Sequence, residues 1–347
     1  VIELNKKLLV PLFLGLVALP AKSQSAPVRV FVLAGQSNME GKAQNKLLDH
    51  QATAEGTREF FAHLRDGDAW AVRDDVFIQF LDRRGPLTIG FGSRDRTGVE
   101  LEFGTVMGER FDEPILLIKT AWGGRSIVRD FRPPSAGMPS DEALEAELQQ
   151  NVKRVENQIA KDGKERPLPT MDEIRAAYGK DYRAMIDDVR TTLAELDQRF
   201  PALAGRKTEL CGFVWFQGWN DQYNGAELEY ESNLRHLISD VRKDLGRDDL
   251  PVVVGLMGQN GSSPAKGAMA TIQEAQSAVA DMPGVRSVRT DTLVDEAAEA
   301  LYPTWKDNFE AWERTGSDHR YHYLGSAIWF TRMGRAFAEA MLAIGED

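Results

Sequence analysis

A series of short apolar runs, separated by stretches of helical periodicity, constrains this chain more than any other feature. The first, residues 28–33 (VRVFVL), is mostly apolar and ends in Ala-Gly, the pattern of a strand buried on both faces. Similar runs follow at 76–80, 115–119, 211–216 and 252–256, with a weaker one at 285–288. Between them the period changes. Leu228, Leu234, Leu237, Ile238, Val241 and Leu245 share one face of a segment that Gly246 ends. Ile328, Trp329, Met333, Phe337, Met341 and Ile344 form a stripe along the last segment, which should dock as a terminal helix. Strands alternating with helices imply an α/β fold with a central parallel sheet covered on both sides.

Some segments depart from this rhythm. From Ser140 to about Phe200 the chain is charge-rich and helical, with Asp141, Glu142, Glu145 and Glu147 near the positive end of the first helix dipole. After a break at 163–169, Thr170 and Glu173 fit a capping box that opens a second helix. The expectation is a helical hairpin, residues 140–200, inserted between two core strands with a solvated charged face. Residues 81–98, with four glycines and a proline, read as a long loop able to shape a cleft. At the N-terminus, Lys6 and Lys7 precede an apolar run over 8–19, then Pro20, Ala21 and a polar stretch. That is the layout of a signal peptide over residues 1–25, implying a secreted or periplasmic protein with no stable membrane span after its removal. An uncleaved anchor or a buried strand is the alternative. Residues 26–347 then form one domain.

Composition narrows the chemistry. With 42 Lys+Arg against 53 Asp+Glu the net charge is −11, and no basic cluster suited to phosphates appears, so no nucleic-acid partner is expected. Cys211 is the single cysteine, which leaves no intrachain disulfide; its neighbours Gly212, Phe213, Val214 and Trp215 suggest a buried strand thiol. His50, His63 and His236 stand apart from ligand-spaced Cys, Asp or Glu, and no phosphate loop follows any strand. Neither metal nor cofactor is expected.

In a parallel sheet, ligands collect beyond the carboxyl ends of the strands. Directly after the first run comes Gly35-Gln36-Ser37-Asn38-Met39, where a tight glycine turn would present Ser37 and the N–H groups of the next helix. A helix N-cap is the plainer role for Ser37. The run at 115–119 leads into Thr-Ala-Trp122-Gly123-Gly124-Arg125-Ser, and that at 211–216 into Gln217-Gly-Trp219-Asn220-Asp221. Before the last helix, Asp318-His319-Arg-Tyr321-His322 supplies imidazole and carboxylate. A hydroxyl, glycine N–H groups, an amide and an imidazole are the parts of acyl transfer.

The blocks GQSNM, AWGGRSI, WFQGWND and HYLGSA, in this order, resemble the SGNH (GDSL-like) hydrolases, in the branch of sialate O-acetylesterase-like and acetylxylan-esterase-like carbohydrate esterases. The resemblance implies a flavodoxin-like three-layer α/β/α sandwich and removal of O-acetyl groups from carbohydrates, with an acetylated carbohydrate as partner. It matches Ser37 to the nucleophile, His322 to the base and Gly124, in preference to Gly123, to an oxyanion donor beside the N–H of Ser37. Asn220 matches the third block's amide, but related esterases carry QGE there, so Gln217 is the alternative. The family usually places Asp three residues before the catalytic His, whereas here residue 319 is histidine and Asp318 lies four before His322. Asp318 is the candidate acid, with a turn role or a backbone carbonyl on His322 as the alternative. His319 is a weaker candidate base. Trp122, Trp219, Trp305 and Tyr321 could stack on a sugar ring and Arg125 could meet an acidic sugar, although packing is the commoner fate of such aromatics. Glu100 and Glu102, read as extended and two apart, would share one face of a cleft, with a rim or structural role as the alternative. The rival to an esterase is an inactive glycan-binding module on the same scaffold.

Overall fold

The structure, a computed structural model, describes residues 26–345; the signal-peptide expectation for 1–25 lies outside the described residues. Seven strands build the main sheet among the described residues: β1 (Val28–Gly35), β2 (Val76–Phe80), β3 (Arg83–Pro86), β4 (Ile115–Ala121), β5 (Thr208–Phe216), β6 (Val252–Leu256) and β7 (Val285–Arg289). They lie in the order β7-β6-β5-β1-β4-β2-β3. All neighbours are parallel except β2 and β3, which form an antiparallel hairpin. Part of the 81–98 stretch is therefore an edge strand. Its Arg-Arg-Gly-Pro sequence suits an edge, where charge and proline discourage further pairing.

The main covering helices are α1 (Ser37–Glu40), α2 (Glu100–Arg110), α3 (Asp141–Asp162), α4 (Lys180–Ala194), α5 (Tyr230–Asp244), α6 (Ala268–Ala278) and α7 (Ala327–Ile344). Alternation along each strand divides the core in two. On one face Phe31 and Leu33 of β1 join Phe103 and Met107 of α2 and Phe330, Met333 and Phe337 of α7. On the other, Val30, Val32 and Ala34 join Tyr182, Met185, Ile186 and Val189 of α4 and Leu234, Leu237 and Ile238 of α5. The result is a three-layer α/β/α sandwich.

The 140–200 segment departs from the expected hairpin insertion. In α3 only Leu144 is buried, whereas α4 lays its apolar face on the sheet between β4 and β5 in sequence. Its second half is thus a layer of the sandwich, because Tyr182, Met185, Ile186 and Val189 recur at helical spacing. Cys211 is half-buried rather than buried, since the β1–β5 register shifts at that point and leaves it as the extra residue of a bulge. Among the described residues, no helix is long and apolar enough to cross a membrane.

The chain places β1 to β4 on one side and β5 to β7 on the other, so β1, β4 and β5 flank the crevice where strand order reverses. The packing of α4 is testable. Ile186→Ala should lower unfolding free energy in denaturant titrations by about 2–5 kcal/mol, whereas Lys153→Ala on α3 should change it by less than about 0.5 kcal/mol.

Candidate active site

At the end of β1, Gly35 adopts φ +154°, and a Cβ there would collide with the Phe216 carbonyl of β5. Glycine therefore lets two strand ends close on each other, with Gln36 N–H donating to that carbonyl at 3.3 Å. Gln36 is the residue capping α1, without a side-chain cap, and Ser37 is the first residue inside the helix. Its hydroxyl is not the cap. Ser37 is only 7% exposed.

The residues around Ser37 each hold a different segment. Gln36 Nε2 donates to Asn220 Oδ1 (3.1 Å), and Asn38 Nδ2 donates to the Tyr321 carbonyl (3.1 Å). Glu40 Oε1 accepts the Gly123 N–H (2.8 Å), while Oε2 accepts from Lys42 Nζ (2.6 Å) and Ser93 Oγ (2.9 Å). Burial works to neutralise Glu40, but Lys42, Ser93 and the Gly123 N–H outweigh it and hold its carboxyl below the usual range. The Gly123 N–H is thereby committed. Gly124, the preferred donor, sits beside it at φ +71°, with open space where a Cβ would stand.

Backbone partners fix how the two amides of the third block point. The Gly218 N–H can only donate, and it donates to Gln36 at 3.3 Å, so that atom is the Gln36 oxygen. The Gln36 nitrogen then faces Asn220, so Asn220 accepts with its oxygen and its NH₂ is turned away from Gln36. The Gln217 nitrogen, in contrast, meets the Arg125 carbonyl at 2.8 Å, Asp221 Oδ2 at 2.6 Å and Gln36 Oε1 at 3.1 Å. Two protons are thus fully engaged. Asp221 is wholly buried and also accepts the N–H groups of Ile127 and Val128 at 3.0 Å, joining the segments after β4 and β5. Burial pushes its carboxyl up to about 6, opposed by Gln217 and those two N–H groups.

The fourth segment is a single turn. His322 N–H donates to the His319 carbonyl, and the turn brings residues 318 and 322 together despite their spacing of four. Asp318 Oδ2 stands 3.1 Å from His322 Nδ1 and 2.6 Å from Arg96 Nη1, and Oδ1 accepts the His319 N–H at 2.7 Å. Burial works to raise the Asp318 carboxyl, but His322, the His319 N–H and Arg96 prevail and bring it down to about 2. Among the described residues the His319 ring meets no carboxylate; it stacks on Tyr321 at 5.3 Å and meets Trp305 edge-on at 6.2 Å. Tyr323 and Leu324 complete the turn in left-handed conformation, φ 51° and 60°, both fully buried.

A family model described as carbohydrate esterase, sialic acid-specific acetylesterase, matches residues 27–302. The chain belongs to that family. Membership implies carboxylic ester hydrolysis as the reaction class, and the match includes Ser37, Gly124, Gln217 and Asn220, while Asp318 and His322 lie beyond it. A crystal structure of an Arabidopsis thaliana protein has the same fold, at 16% identity and a TM-score of 0.50 over 92% of this chain and 99% of that one. The chain is also similar to a carbohydrate acetylesterase from Xanthomonas citri (16% identity, TM-score 0.41, 75% and 49% covered) and to NanS (14%, 0.42, 76% and 79%). No curated protein sequence matches it.

In this esterase-family chain the remaining candidates divide. Trp219 and Tyr321 lie together at 5.9 Å near the turn, with Tyr321 39% exposed. Trp122 packs against Phe131 at 5.9 Å. Arg125 is held by Asp181 of α4 at 2.9 Å and keeps its side chain 40% exposed. Glu100 and Glu102 do not share a cleft face, because they fall in the first turn of α2, where residues two apart diverge. Glu100 meets fully buried Lys119 of β4 at 2.9 Å, and Lys119 also donates to the Glu40 carbonyl at 2.7 Å, supporting α1 from beneath. Burial pushes the Lys119 ammonium down, against the raising effect of Glu100. Glu102 instead meets His63 at 2.7 Å and Arg335 at 2.6 Å. Of the residues that sequence reasoning missed, Gln36, Glu40 and Asp221 stand in or beside the motif blocks, whereas nothing near Arg96 signals its partner Asp318.

A depressed carboxyl stabilises the fold above its unfolded pKa and ceases to do so as pH falls through the folded value. The stability gap between wild type and Asp318→Asn should therefore be on the order of 2 kcal/mol at pH 6 and shrink between about pH 4 and 2. Denaturant titrations across that range check it; a gap independent of pH would contradict the pairing.

Proposed function

We propose that this chain is a serine esterase that removes O-acetyl groups from carbohydrates, with Ser37 as nucleophile, His322 as base and Asp318 orienting the base. The observation that carries the reading is the bond from Asn38 to Tyr321, which ties the residue after Ser37 to the residue before His322. Family membership supports the ester chemistry.

Asp318 beside Nδ1 favours the tautomer that carries its proton there, leaving Nε2 free to accept one. In this reading His322 takes the Ser37 proton as Oγ forms a bond to the acetyl carbon. The carbonyl oxygen gains the charge and meets the N–H groups of Ser37 and Gly124 with the NH₂ of Asn220. Gln217 is assigned to the scaffold, since its amide protons already serve Arg125 and Asp221. Collapse breaks the bond between the acetyl carbon and the sugar oxygen, and the imidazolium gives its proton to that departing oxygen. His322 then deprotonates a water that attacks acyl-Ser37, releasing acetate and restoring the hydroxyl. Trp219, Tyr321 and Arg125 supply sugar contacts, with the charge on Arg125 shared with Asp181.

Steady-state hydrolysis of p-nitrophenyl acetate and of an O-acetylated sugar tests this. Ser37→Ala and His322→Ala should each lower kcat by at least about 10³. Asn220→Ala should lower kcat by about 10²–10³ with KM nearly unchanged. Gln217→Ala should act mainly on stability, by about 1–3 kcal/mol, because it strips a partner from buried Asp221. Full activity in Ser37→Ala would end the reading, and glycan binding without turnover in the wild type would favour a binding module.

A further inference from the structure

Behind the turn that carries Asp318 and His322 lies a cavity of ≈ 230 Å³ that the reaction described above does not use. Its walls combine aromatic faces, Trp305 and Phe309, with two ion pairs, Lys46–Glu313 at 3.0 Å and Arg96–Asp318 at 2.6 Å. Phe309 is 52% exposed there. Drug-sized ligands occupy pockets of about 300–1,000 Å³, so this space suits one smaller unit. Each cation already has a carboxylate partner, so the polar lining offers donors and acceptors with no net charge to attract an ionic group.

His319 is the partition between this cavity and the candidate active site. It lines the cavity and meets Trp305 edge-on at 6.2 Å, while its ring stacks on Tyr321 at 5.3 Å. Tyr321 in turn contacts His322 at 4.5 Å and Trp219 at 5.9 Å. A continuous row of rings therefore leads from the cavity to the proposed base. Such faces hold the apolar side of a pyranose, while neighbouring paired side chains serve its hydroxyls. Trp305 and Phe309 lie beyond residue 302, where the family match ends, so this wall is built by a part of the chain that the match does not include.

We propose that the cavity is a second sugar subsite, taking one neutral pyranose unit of an oligosaccharide whose neighbouring residue presents its acetyl ester to Ser37. The inference rests on the esterase reading and extends it from an acetylated sugar to an acetylated oligosaccharide. Sugar units beyond the reacting one would bind along Tyr321 and His319 into the space beside Trp305.

The test compares kcat/KM on partially acetylated monosaccharide and trisaccharide from a xylose series and a mannose series. At least one series should show a preference for the trisaccharide, carried by KM. In Trp305→Ala and in Phe309→Ala the ratio of trisaccharide to monosaccharide kcat/KM should fall roughly three- to tenfold. Taking the ratio within each variant cancels any loss of folded protein, and Phe309, on the exposed rim, gives a second variant with little burden on folding. Equal kcat/KM for both lengths in both series, with turnover intact, would overturn the subsite and leave the esterase standing. A length preference unchanged in both variants would also overturn it. No turnover of any ester would bring down the esterase reading and the subsite together.

Discussion

Gln36 is the hinge of the local order. Its side-chain oxygen is pinned by the Gly218 N–H, and from that one bond the orientation of the next amide follows. Because Gln36 precedes Ser37 directly, the same side chain that closes β1 onto the segment after β5 also fixes the entry to α1. Asp221 repeats the device one layer further in, gathering the segments after β4 and β5 around a carboxylate without solvent. Buried polar groups of this kind are costly unless fully paired, so each bond supports the others. The parallel sheet delivers the segments to one rim, and these amides and carboxylates set their positions relative to one another.

The fourth segment reaches the rim by a different route. Tyr323 and Leu324 occupy a conformation that costs a non-glycine residue about 1–3 kcal/mol, and two lie in succession. Tyr323 is held because its hydroxyl accepts the Gly258 N–H at 2.8 Å and meets Thr290 Oγ1 at 2.8 Å, anchoring the turn to the ends of β6 and β7. Ser326 then caps α7 and donates to buried Asp295 at 2.5 Å. The strain is thus sustained by burial on one side and a helix start on the other, and its product is a turn that brings Asp318 to His322.

Much of this was legible in the sequence, for identifiable reasons. The parallel strands β1, β2, β4, β5 and β6 each carry a mostly apolar run, so their positions need no knowledge of their partners, whereas β7, Val-Arg-Ser-Val-Arg, gives only a weak one. The edge strand β3 carries Arg-Arg-Gly-Pro, which has no apolar pattern, and only its pairing with β2 makes it a strand. The 140–200 segment misleads because charge dominates both halves, although Tyr182, Met185, Ile186 and Val189 do carry the spacing of a buried face. The motif blocks bring Ser37, Gly124, Asn220 and His322 to notice. Choosing between Gln217 and Asn220 needs the through-space bonds to Arg125, Gly218 and Gln36, since both residues bear the same functional group. Arg96 is invisible for the same reason: its partner lies far along the chain.

The central claim is that one serine, activated by one histidine, carries the reaction. Reaction of the folded protein with a fluorophosphonate, followed by peptide mapping in a mass spectrometer, measures this directly. The account predicts a single adduct on Ser37 whose formation is lost in His322→Ala. An adduct on another residue, no adduct on the folded protein, or equal labelling without His322 would contradict it.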